Sequence, residues 1–144
     1  MPDATPGDRF DLARFVDAQD RVYSTVLGEL RAGRKRSHWI WFVFPQLRQL
    51  GHSPTAQRFG IASLAEARAY LQHPVLSARL QECAATLLTH TDRTAHQILG
   101  SPDDLKVRSS MTLFVRAGGP EVCRTVLEMF YQGREDPATV ELLS

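Results

Sequence analysis

The stretch Gly33-Arg34-Lys35-Arg36-Ser37-His38-Trp39-Ile40-Trp41-Phe42-Val43-Phe44-Pro45-Gln46 decides the fold class. Its second half is aromatic and β-branched, a composition that favours strands. Ser37 is a good helix cap, however, and no partner strand is visible elsewhere in the chain. We read His38–Phe44 as a short buried helix that stops before Pro45, because the residue preceding proline avoids the α region. With that assignment nothing in the sequence calls for a sheet.

Working outward, apolar residues Leu12, Phe15, Val16, Val22, Tyr23, Val26, Leu27 and Leu30 recur at three- and four-residue steps and predict one long helical face. The helix opens with Asp11 as cap, bends near Gln19-Asp20 and ends at Gly33, which suits a left-handed cap. Downstream, a short helical turn covers Thr55–Phe59. Ser63-Leu64-Ala65-Glu66 reads as a capping box that opens a helix to Gln72. His73-Pro74 starts the next helix, and Thr94–Leu99 forms a turn or two closed by Gly100. Ser101-Pro102-Asp103-Asp104 combines a cap, an N1 proline and two acids at the positive end of the helix dipole. That helix runs to about Arg116, and Glu121–Tyr131 and Asp136–Leu143 follow it. The expectation is an all-α single compact domain of about seven to eight short and medium helices over residues 10–144, behind a flexible N-terminus at 1–9.

The 144 residues suit one domain and need no covalent staple. Cys83 and Cys123 form no Cys-x-x-Cys pair, which removes zinc-knuckle and thioredoxin readings and favours two buried thiols. No secretory leader pattern is present and the longest apolar run is Trp39 to Phe44, so cytoplasmic residence without membrane attachment is expected. The histidines His38, His52, His73, His90 and His96 lack metal-ligand spacing, and no metal or cofactor is expected.

The net charge of +1 hides a segregation. Residues 1–29 carry six acids and three arginines. Residues 30–65 carry no acid at all but hold Arg31, Arg34, Lys35, Arg36, Arg48 and Arg58. The last 25 residues are again net acidic. Either the acidic ends neutralise the basic zone inside the molecule, or the zone is an anion-facing surface.

Two segments offer chemistry. In the first, Arg34, Lys35 and Arg36 are candidates to contact phosphate. Backbone N–H groups at Ser37, His38 and Trp39 are candidates for an anion seat. Trp39 or Trp41 would stack on a base, and Gln46 would read an amide or base edge. The second is Asp103-Asp104-Leu105-Lys106-Val107-Arg108-Ser109-Ser110-Met111-Thr112. Lys106, Arg108, Ser109, Ser110 and Thr112 are candidate ligand contacts, and Asp103, Asp104 and His38 are candidate acid–base groups. The bland alternative is capping for the aspartates and tight helix packing for the hydroxyls.

Four motifs together resemble a bacterial domain-of-unknown-function family, number eighteen-ten, whose members are sometimes mislabelled calpastatin. They are Arg14-Phe15-Val16-x-Ala18-Gln19, the stretch quoted first, Tyr70-Leu71-x-His73-Pro74-Val75-Leu76, and Ser109-Ser110-Met111-Thr112-Leu113-Phe114. The resemblance runs from about residue 10 to 143. It implies a small helical fold and cytosolic residence, and brings no established activity. A weaker likeness, to the NADAR type of ADP-ribose-processing proteins, rests on His73-Pro74 and Gly100-Ser101-Pro102-Asp103.

Three functional expectations follow. The first is a binding module for a phosphate-bearing or other anionic ligand, nucleotide or nucleic acid. The second is a small hydrolase or transferase acting on an ADP-ribose-like group, with a cleft joining the two segments. The third is a structural or partner-binding protein, whose acidic C-terminal tail would pair with a second copy in a homodimer.

Overall fold

The computed structural model describes residues 8–144, so most of the N-terminal segment expected to be flexible lies outside the described residues. Among the described residues the chain is all-α and 66% helical, with ten α-helices, seven of them of seven residues or more. They are α1 (Ala13–Asp20), α2 (Tyr23–Ala32), α3 (Ile40–Val43), α4 (Pro54–Phe59), α5 (Leu64–Gln72), α6 (Pro74–Leu87), α7 (Ala95–Leu99), α8 (Asp103–Arg116), α9 (Glu121–Tyr131) and α10 (Pro137–Leu143). A 3-10 turn at Arg48–Leu50 and a lone parallel bridge between Leu47 and Ile61 complete the path.

Helix α8 is the axis of the molecule and packs against α9, α5, α7, α10 and α3. Its residues Val107, Met111, Leu113 and Phe114 are wholly buried. Aromatic rings tie α1, α5 and α8 together. Phe15 meets Tyr70 edge-on at 5.2 Å, and Tyr70 meets Phe114 at 5.1 Å. Each such pair adds about 0.5–1.5 kcal/mol beyond the area it buries.

The predicted bend in the first helix is a full break. Arg21 and Val22 separate α1 from α2, and a polar web fills the joint. Buried Gln19 donates to the Phe42 carbonyl at 2.6 Å and to the Tyr70 hydroxyl at 3.2 Å, while Arg79 reaches both Gln19 and Asp20. A side chain with two donors and an acceptor inside the core must satisfy them, and here it does so across three elements.

Several caps differ from expectation. Asp11 adopts a positive φ of 54°, and the carboxylate that accepts from the N–H groups of Leu12 and Ala13 belongs to Asp8. Ser37 does not cap α3, because its hydroxyl donates to Glu29 instead. Glu66 leaves the Ser63 box half-formed: its backbone N–H binds Ser63, but its side chain accepts from Ala62 N–H and pairs with buried Arg14 at 2.7 Å. At α8 the residue before the helix is Pro102, with no side-chain cap.

Other helix ends are closed by near neighbours. Gly33 sits at φ 72° and closes α2, with the Arg34 N–H bonding to the Glu29 carbonyl at 3.0 Å. The His73 ring nitrogen accepts from two N–H groups at the start of α6. Thr94 and Gln97 form a complete capping box on α7. Among the described residues no helix is long and apolar enough to cross a membrane.

Candidate functional site

The loop between α2 and α3 is organised by a residue outside the quoted motif. The Glu29 carboxylate, on the last turn of α2, accepts four hydrogen bonds. They come from the backbone N–H groups of Arg36 (2.9 Å) and Ser37 (3.0 Å), the Ser37 hydroxyl (2.6 Å) and the Trp39 indole N–H (2.9 Å). Partial burial works against its charge. The Ser37 hydroxyl, the two backbone N–H groups and the indole outweigh that and lower its pKa from 4.5 to about 2. Of the backbone donors expected to form an anion seat, that of Ser37 is therefore already filled from within the chain, and Arg36, outside the expected set, is filled with it.

Within the loop the three basic side chains are disposed differently. Lys35 turns inward, with only 5% of its side chain exposed, and pairs with Asp103 at 2.7 Å. It also donates to the Ser37 carbonyl and lies 5.0 Å above the Trp39 ring. Arg34 and Arg36 turn outward and are exposed. Together with Arg93, Glu29, Thr25 and Gly28 they line an open depression of about 500 Å³. A second depression adjoins it and shares Arg34 and Arg93, adding Asp92 and Gln97. Arg93 is fixed on this face by donating to the Gly33 carbonyl at 3.3 Å. His90 braces the same turn, its Nε2 lying 2.6 Å from the Leu30 carbonyl.

Lys35 is the one member of the basic zone 30–65 with an ion-pair partner among the described residues. The acidic C-terminal segment does not neutralise that zone. Its Glu135 holds Arg116 in a two-bond fork, and its Asp136 binds Ser109 and Thr139.

The second motif segment divides by helical face. Asp103, Lys106 and Ser110 share one face at three- and four-residue steps, and Asp103 reaches the loop at Lys35. Asp103 bridges Lys35 and Lys106, the latter at 3.8 Å, and the Lys106 ammonium stands 5.2 Å above the half-buried Trp41 ring. Ser110 is fully buried, and its hydroxyl has no hydrogen-bond partner. Arg108, Ser109 and Thr112 serve the C-terminal segment instead. Arg108 donates to the carbonyls of Arg134 and Glu135, Ser109 to the Asp136 carboxylate, and Thr112 accepts from the Asp136 N–H.

The remaining candidates stand apart from one another. Trp39 is 1% exposed, so both its ring and its N–H are committed inside the protein. His38 is exposed, and Gln46 is half-buried with its carbonyl accepting from Ile61. The Asp104 carboxylate faces exposed His96 at 3.5 Å, and its carbonyl accepts from Tyr131. Among the described residues no group of three or more His, Cys, Asp or Glu could hold a metal ion.

Sequence reasoning passed over Glu29 and Arg93. For Glu29 a signal existed, since it is the last acid before a 36-residue acid-free zone and sits four positions before a helix-ending glycine. For Arg93 there was none, because it joins the loop only through the packing of the α6–α7 connection.

A family model described as "Protein of unknown function (DUF1810)" matches residues 9–143. The chain belongs to the DUF1810 family. The chain is also similar to the crystal structure of the conserved hypothetical protein Rv1873 from Mycobacterium tuberculosis. It is 56% identical, superposes with a TM-score of 0.93, and the match covers 94% of this chain and 98% of that one. No curated protein matches the chain.

Proposed function

We propose that this protein binds a phosphate-bearing polyanion through the depression lined by Arg34, Arg36 and Arg93. The observation that carries the reading is the state of those three side chains. All are exposed around one surface depression, and among the described residues none is ion-paired with a carboxylate. Arginine guanidinium groups in that condition offer planar bidentate donors to phosphate. Neither tryptophan lines the depression, so contact is to backbone phosphates, and recognition is independent of base sequence.

The test is fluorescence anisotropy of a labelled oligothymidylate titrated with protein at several salt concentrations. Affinity falls steeply with salt, and each of Arg34→Ala, Arg36→Ala and Arg93→Ala lowers the log–log salt slope by about 0.7–1. The same variants leave stability within about 0.5 kcal/mol, as exposed positions should. A flat salt response, or unchanged affinity in all three variants, rejects the reading.

One observation favours the second reading, a hydrolase or transferase acting on an ADP-ribose-like group. Asp103 joins the two motif segments through Lys35 and Lys106. That reading requires Asp103→Asn to abolish release of ADP-ribose from a conjugate while the fold persists.

A further inference from the structure

The Glu29 carboxylate occupies the place an incoming anion would take. Consecutive backbone N–H groups beside a hydroxyl make a concave donor set of the kind that seats a single phosphate. Here the N–H groups of Arg36 and Ser37, the Ser37 hydroxyl and the Trp39 indole all converge on Glu29. Glu29 also lines the arginine depression, so one carboxylate faces the ligand surface and shapes the loop behind it. We infer that Glu29 is the specificity-determining residue of this surface. By filling the seat it excludes a lone terminal phosphate, and by holding the loop it sets Arg34 and Arg36 to grip a run of nucleic-acid phosphodiesters. This rests on the anion-binding reading above.

The atoms of Glu29 allow its charge and its geometry to be separated. Oε1 takes three of the four donors and Oε2 takes only the Ser37 hydroxyl. In Glu29→Gln the amide oxygen keeps the three donors, and the amide nitrogen donates to a reversed Ser37 hydroxyl. The loop is held and one negative charge is gone. In Glu29→Asp the charge stays, but the side chain is one methylene too short to reach all four donors.

The experiment compares both variants with wild type in the oligothymidylate titration, with and without a 5′-phosphate on the strand, and follows amide hydrogen exchange at Arg36 and Ser37. Glu29→Gln binds about two-fold tighter at low salt, from removing one like charge near the strand. Glu29→Asp binds about ten-fold weaker, because the arginines lose their fixed placement. Exchange at Arg36 and Ser37 is faster than wild type in Glu29→Asp and unchanged in Glu29→Gln. The 5′-phosphate changes wild-type affinity by no more than about two-fold, the effect of added charge alone. Inorganic phosphate competes only through ionic strength.

Wild-type affinity in Glu29→Asp, unchanged exchange in that variant, or strong preference for the 5′-phosphorylated strand overturns the inference while leaving the anion-binding reading intact. No binding of oligothymidylate by wild type removes both.

Discussion

Ser110 is the residue at which packing and hydrogen bonding disagree. Its hydroxyl is buried without a partner on the α8 face that also carries Asp103 and Lys106. An unpaired buried hydroxyl costs about 1–3 kcal/mol. Ser110→Ala is therefore expected to leave stability unchanged or raise it by about 1 kcal/mol, read as the urea midpoint at constant m. A loss instead would mean that the hydroxyl holds a polar group in solution. At this scale the chain was only partly readable in advance. Arg34, Lys35 and Arg36 were singled out by composition, but their division into two exposed side chains and one buried one depends on distant partners, Asp103 for Lys35 and the Glu29 carboxylate for the loop beyond it. That carboxylate reaches across eight positions to Ser37, beyond the span on which capping and helix periodicity depend.

At the level of elements, the boundaries that depend on residues within three or four positions were readable from sequence. Gly33 closing α2, His73 and Pro74 opening α6, and Asp136 opening α10 all stand as expected. Among those that failed, Ser37 lost a local competition to Glu29 and Glu66 to Arg14, both longer-range partners, whereas Asp11 gave way to Asp8 three positions away. The consecutive hydroxyls of α8 show the same limit. Their spacing marked a special face, but only the fold assigns Ser109 and Thr112 to docking α10. Asp136 is the centre of that dock, accepting from Ser109 at 3.0 Å, the Thr139 hydroxyl at 2.6 Å and the Thr139 N–H at 3.2 Å. Asp136→Ala removes a helix cap and strands the fully buried Thr139 hydroxyl, for an expected loss of about 2–4 kcal/mol in urea unfolding. A loss below about 0.5 kcal/mol, the range of an ordinary surface change, would show that α10 is not held this way.

For the whole molecule, the burial of both thiols supplies a global probe. Cys83 and Cys123 are free and have no exposed surface. Burial pushes both thiols up to about 12, with the Tyr23 hydroxyl partly opposing it at Cys83. The two lie on different helices, α6 and α9, so both should become reactive only when the core opens as a whole. Alkylation at pH 8 is expected to be negligible in water and to appear for both cysteines over one urea transition. Labelling of one cysteine well before the other would show that the domain opens in parts.

The loop from Arg34 to Ser37 works as a register of position. Arg34 faces out, Lys35 faces in to Asp103, and Arg36 faces out again. Gly33 anchors one end against the His90 ring, where an added Cβ would lie 2.8 Å away, and Trp39 anchors the other on Glu29. Between two fixed ends the number of residues decides which side each faces. Deleting Arg34 would move Arg36 to the inward position and Lys35 to an outward one with the composition almost unchanged. The loop can therefore drift in the identity of its outward cations more freely than in its length.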